Sequence, residues 1–199
     1  MSGVLTFEEG PHEYKLDGEV IPSVSQMCTE AGLWDKFNNS GFAKKLDPSI
    51  RGTRIHYATE LLDKGLLDQS QIEGTAYQPY LEAWGNAVSD SGVKIKEVEI
   101  RHHMTLDGLT FAGTIDRVVE RSTGEIEVWD LKTGSDHGEP YAVQLAAYRF
   151  LIEDYLGYEV AATCCVFINA KGKYRINDKS GERWDRKWRE ICQRFAQEK

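Results

Sequence analysis

Apolar residues recur along this chain in two rhythms, and the switches between them mark its elements. Residues 4–7 and 12–16 have β character, and Asp17-Gly18 is a strong turn signal before Glu19-Val20-Ile21, so 4–21 reads as a hairpin. Ser23 suits the N-cap of a helix entered through Pro22. A second helix starts near Asp47-Pro48-Ser49, and over 50–62 it places Ile55, Thr59 and Leu62 on one face with His56 beside them. After a polar loop at 63–75, Tyr77, Tyr80, Leu81, Trp84 and Val88 form the apolar stripe of a helix over 76–90. Strict alternation over 93–101 predicts a strand with Ile95, Glu97 and Glu99 on one face and Val98 and Ile100 on the other. Asp107-Gly108 then turns the chain into two strands, 110–120 and 125–133, joined through Ser122-Thr123-Gly124. A loop at 134–140 leads to a helix over 141–155 that sets Gln144 and Tyr148 at i and i+4. Residues 160–168 are nearly all apolar, as in a strand buried on both faces. The last helix, 182–197, spaces Trp184, Trp188, Ile191 and Phe195 against Arg183, Arg186, Lys187 and Arg194.

The paired strands carry charges that their pattern does not need. Alternation puts Ile126, Val128, Asp130 and Lys132 on one face of the second strand. In the first, Thr114, Asp116 and Val118 share a face. A carboxylate among apolar neighbours is costly unless it is paired or bound to a cation. Paired as a hairpin, the strands bring Asp116, Asp130 and Lys132 together, a set suited to a divalent metal and a polarised water. The competing reading is a cross-strand ion pair on a solvated face.

Composition bounds these readings. The 199 residues suit one domain, and 41% hydrophobic with 28% charged residues is ordinary for a globular protein. A net charge of −8 argues against coating nucleic acid by bulk electrostatics, but leaves room for a local basic groove and bound metal ions. Arg51 and Arg54 beside His56, and Lys171 and Lys173 in a late turn, are candidate phosphate contacts. Around residues 34–50, Trp34, Phe37 and Phe42 alternate with Lys36, Lys44 and Lys45; they fit either inward packing or a base-stacking surface. The cysteines, Cys28, Cys164, Cys165 and Cys192, form no Cys-x-x-Cys pair, so a structural zinc is not expected. No secretory leader and no membrane-length apolar run is visible, which makes a cytoplasmic protein without a membrane partner the expectation.

Four pieces together resemble the PD-(D/E)XK nuclease superfamily, in particular its RecB-like exonuclease branch. They are Gly52-x-x-x-His56 on a helix, Gly113-Thr114-Ile115-Asp116 ending one strand, Asp130-Leu131-Lys132 ending the next, and Gln144-x-x-x-Tyr148 on the following helix. Asp-x-Lys alone would be weak; four pieces in order are more specific. The resemblance covers residues 50–170 and implies an α/β fold, a central mixed sheet flanked by helices with a restriction-endonuclease-like core. The remainder, 1–49 and 171–199, reads as an N-terminal elaboration and a C-terminal helix of a single domain.

The resemblance also implies chemistry. His56, Asp116, Asp130 and the backbone carbonyl of Leu131 would hold Mg²⁺ or Mn²⁺, with Glu99, or else Glu97, helping a second ion. Lys132 would serve the attacking water, and Gln144 and Tyr148 would lie near the active site and the DNA strand. The expected activity is exonucleolytic hydrolysis at free or single-stranded DNA ends, with a recombination or replication protein as a partner. Some RecB-like nucleases carry an iron–sulfur cluster; the cysteine spacing here does not fit one. A catalytically inactive nucleic-acid-binding module, or an interaction subunit of a repair complex, are the alternatives.

Overall fold

The computed structural model describes residues 3–34, 48–157 and 159–198, with side chains from residue 51 onward in the second stretch. Phe37, Phe42, Lys36, Lys44 and Lys45 lie outside the described residues. Strands β1 (Leu5–Glu8), β2 (Glu13–Leu16) and β3 (Glu19–Ile21) form a small antiparallel sheet. Asp17 and Gly18 both take positive φ, 52° and 89°, as the tight turn between β2 and β3 requires. Helix α1 (Val24–Glu30) follows, its N-cap Ser23 accepting from the Gln26 amide.

Helices α2 (Pro48–Asp63) and α3 (Gln78–Ser91) precede the main sheet. That sheet runs β4 (Lys94–Leu106), β5 (Leu109–Glu120), β6 (Ile126–Lys132), β7 (Ala162–Ile168), β8 (Tyr174–Asp178), in this spatial order. All neighbours are antiparallel except β6 and β7, which run parallel across the crossover helix α4 (Glu139–Leu156). Helix α5 (Glu182–Gln197) closes the described chain.

The sheet is buried on both faces, so its strands carry apolar residues on both sides. Against one face, Val24, Met27 and Cys28 of α1, Leu145, Tyr148 and Leu151 of α4, and Trp188 and Ile191 of α5 cover Phe111, Ile115, Val118 and Val128. Against the other, Ile55 of α2 and Tyr80, Trp84 and Ala87 of α3 cover Val119, Trp129, Leu131 and Val166. The expected mixed α/β sheet flanked by helices is therefore the observed architecture. The N-terminal sheet docks on β5, where Ala112 packs against Tyr14 and Ile21 and its amide donates to the Pro22 carbonyl.

Two side-chain assignments differ from simple alternation. Ile95 faces Val119 and Glu97 faces Val118, so Lys96 is the extra residue of a bulge and Ile95 and Glu97 lie on opposite faces. A second reversal lies between Ile115, which packs under α4, and Arg117, whose side chain reaches α2 through the other face. Glu99 lies opposite this reversal with φ at 54°. Among the described residues it is the one non-glycine with positive φ inside a strand rather than a turn. Thr114 consequently bonds Tyr14 at 2.6 Å on the side away from Val118 instead of sharing its face. Strand β8 was not evident from the sequence. Only Tyr174 and Ile176 of its residues are apolar and pack inward, while Arg175 lies over the Phe167 ring.

Candidate active site

The site is built where β5 and β6 part. Their ladder ends at Arg117–Trp129, one step before Asp116 would face Asp130. In place of the next ladder bond, the Leu131 amide donates to Asp116 Oδ2 at 2.8 Å. The same oxygen lies 3.3 Å from His56 Nδ1 on α2. Gly52, one turn earlier, sits where an added Cβ would lie 3.7 Å from the Thr133 hydroxyl, so the helix approaches the end of β6 closely. Glu99 completes a cluster: one ligand atom each from His56, Glu99 and Asp116 all lie within 4.8 Å of one another.

Asp130 and Lys132 stand beside this cluster on the α4 side. Lys132 Nζ approaches Asp130 Oδ2 to 2.5 Å, but off the line of a good hydrogen bond, and that buried oxygen has no hydrogen-bond partner. Lys132 also donates to Gln144 Oε1 at 3.3 Å, and Gln144 Nε2 donates to the Tyr148 hydroxyl at 3.0 Å. The ammonium lies 4.6 Å over the Tyr141 ring.

The three acids have different protonation tendencies. Burial would raise Asp116, but the His56 charge and hydrogen bond, then Lys132, bring it down to about 2. Burial, reinforced by the Asp116 charge and only partly offset by Arg117, pushes Glu99 up to about 7. Burial likewise lifts Asp130 to about 6, with Lys132 opposing and Asp116 adding to the rise. Burial pulls the His56 imidazole down, yet Asp116 outweighs it and leaves the group above its usual range. For Lys132 burial is again outweighed, by Asp130 and Asp116, so the ammonium is held above its ordinary value and stays charged.

The candidate phosphate contacts are outside this hydrogen-bonded set. Arg51 and Arg54 are exposed on α2, with Arg54 donating to the Tyr77 hydroxyl at 3.2 Å. Lys171 and Lys173 are exposed in the β7–β8 turn, where Gly172 lies against Pro79 and Glu82 of α3. Glu97 is exposed and is not in the cluster. Sequence reasoning missed Arg117, Asp63 and Trp84. The available signal was an arginine directly after Asp116 in an otherwise apolar strand.

A mixed five-stranded sheet between helical layers, with acids at the parting strands and a lysine two residues after the second, defines a restriction-endonuclease-like nuclease fold. The sequence signature of the PD-(D/E)XK nuclease superfamily matches residues 73–198. The chain belongs to that superfamily, a class of enzymes that hydrolyse nucleic acids. His56 and α2 precede the matched span. A crystal structure from Eubacterium rectale, of a protein named "Putative exonuclease", superposes with a TM-score of 0.56 at 12% identity. It covers 87% of this chain and 77% of that one, and bears on the fold alone. A second solved structure, of SSO0001, covers 84% of each chain at 14% identity with a TM-score of 0.36, and carries no weight for fold or function. No curated protein matches the chain. Among the described residues, no helix is long and apolar enough to cross a membrane.

Proposed function

We propose that the chain is a divalent-metal-dependent deoxyribonuclease that degrades DNA from free or single-stranded ends in replication, repair or recombination. The observation that carries this reading is the His56–Glu99–Asp116 cluster, with ligand atoms within 4.8 Å, beside the Asp130–Lys132 pair. The donor set fits a hard divalent cation: carboxylate oxygens with one imidazole. Buried Asp130, whose close cation is the Lys132 ammonium at 2.5 Å, adds a further carboxylate to the same donor set. His56, Asp116, Asp130 and the Leu131 carbonyl are the residues that would hold Mg²⁺ or Mn²⁺, with Glu99 alongside; the imidazole suits Mn²⁺. When bound, the ion supplies charge that neutralises the scissile phosphate and stabilises the leaving 3′ oxygen.

The chain's own residues do the rest. Lys132 is charged in this environment, which supports orientation of the attacking water and electrostatic stabilisation over proton abstraction. Gln144 holds Lys132 and Tyr148 holds Gln144, so the ammonium is fixed from α4. Arg51, Arg54, Lys171 and Lys173, all exposed, would contact phosphates. Products with 5′-phosphate and 3′-hydroxyl ends, and a recombination or replication partner, follow from the RecB-like resemblance.

The test uses end-labelled single- and double-stranded DNA, linear and circular, with Mg²⁺, Mn²⁺ or a chelator. Wild type is expected to degrade linear DNA and spare circles, and only with metal. Asp130→Ala and Lys132→Ala should each lose about 100-fold or more. Cleaved circles would make it an endonuclease. Intact substrates under both metals would sink the catalytic reading and leave nucleic-acid binding to be measured.

A further inference from the structure

Arg117 has no part in the reading above, yet at 1% exposure it is the most deeply buried charged side chain among the described residues. Its guanidinium donates from Nε to Asp63 Oδ2 at 2.6 Å, from one terminal nitrogen to the Asp116 carbonyl at 2.6 Å, and from the other to the Thr59 hydroxyl at 3.2 Å. It also reaches Glu99 Oε1 at 3.4 Å. Asp63 is itself held by the Trp84 indole N–H at 2.9 Å, and Thr59 donates to the His56 carbonyl at 2.9 Å.

We propose that Arg117 is a positioning residue that sets the divalent-ion affinity of the His56–Glu99–Asp116 cluster from between the sheet and α2. The inference rests on the metal-site reading. The three cluster residues come from three different elements, α2, β4 and β5, and no backbone ladder joins α2 to the strands. Arg117 touches all three: α2 through Thr59 and Asp63, β4 through Glu99, and β5 through the Asp116 carbonyl. One rigid fork thereby fixes the spacing between His56 and Asp116 while its charge faces Glu99. A lysine at this place would keep the charge but could not bridge four acceptors in fixed directions. A buried guanidinium needs partners for all its donors; here two of those partners, the Asp116 carbonyl and the Glu99 carboxylate, belong to the cluster residues themselves, which ties the satisfaction of this charge to the geometry of the site.

The experiment measures Mn²⁺ binding to the intact chain by titration calorimetry, with thermal melting in chelator as the folding control. Arg117→Lys is expected to weaken Mn²⁺ binding by about tenfold or more, the range typical for partners that orient metal ligands. Glu99→Gln is then combined with it. Because Arg117 acts partly through Glu99, its effect on affinity should shrink in that background, whereas a purely structural loss would carry over unchanged. A folded Arg117→Lys variant that binds Mn²⁺ like wild type overturns the inference, and so does an undiminished effect in the Glu99→Gln background. If Arg117→Lys does not fold, Thr59→Val decides alone: unchanged affinity overturns, a several-fold loss supports. Wild type that binds Mn²⁺ without cleaving DNA defeats the nuclease reading only; wild type that binds no Mn²⁺ defeats both.

Discussion

Three carboxyl groups within one small site experience three environments. Asp116 is held ionised by His56 and the Leu131 amide, whereas Glu99 and Asp130 are pushed toward neutrality by burial. The consequence for stability has a definite sign. A carboxyl whose folded pKa, about 7 for Glu99, exceeds its unfolded value of about 4.3 stabilises the fold below that unfolded value. The contribution is lost as pH rises toward the folded value. In chelator, Glu99→Gln should therefore be more stable than wild type at pH 8, by roughly 1–2 kcal/mol after discounting for partial exposure, and nearly equal at pH 4. Urea melts at both pH values read this difference, and an equal gap at the two would contradict the raised Glu99 value. Asp116, Asp130 and Lys132 could be picked out from sequence because a strand buried on both faces has no use for them. Arg117 carried the same signal but was passed over, because an arginine in a strand is most often solvent-facing, and its contacts with α2 reveal the opposite.

At the scale of elements, the site depends on how closely α4 can approach β5. Gly113 permits that approach: an added Cβ would lie 3.0 Å from Leu151 Cδ1, 3.1 Å from Tyr148 Cε1 and 3.3 Å from Val24 Cγ2. Three neighbours on two helices leave little room to yield, so Gly113→Ala should cost about 1–3 kcal/mol by overpacking. Since Tyr148 holds Gln144 and Gln144 holds Lys132, activity should fall in the same variant even well below its melting temperature. A thermal melt unchanged from wild type would show that α4 can retreat without cost. The elements themselves were largely legible, with helix and strand limits displaced by a few residues. The Lys96 bulge and the reversal at Glu99 were not. A single extra or left-handed residue leaves the alternating pattern intact on each side and shifts only its phase, which becomes visible through the partner strand.

At the scale of the whole molecule, a protein of net charge −8 has to hold a polyanion through local contacts. Binding of a short single strand, measured in an Asp130→Ala background, should weaken as salt rises from about 50 to 200 mM. Arg51→Ala should reduce the slope of log affinity against log salt by about one if that exposed arginine meets a phosphate. An unchanged slope would remove Arg51 from the contact set. By itself the sequence determined the alternation of helices and strands and the residue types of the site, because hydrophobic period and out-of-place charge are local properties; the mixed sheet was what the family resemblance of those residues implied. Tertiary structure brought Glu99, already preferred over Glu97 from the sequence, to within ligand distance of His56 and Asp116, and it alone decided that the strands part at Asp116. It alone brought Arg117, Thr59, Asp63 and Trp84 together beside them, between the sheet and the helices that cover this face. Those outcomes turn on the phase of one strand against another and on side chains far apart in the chain meeting across a sheet, and no window of neighbouring residues contains that information.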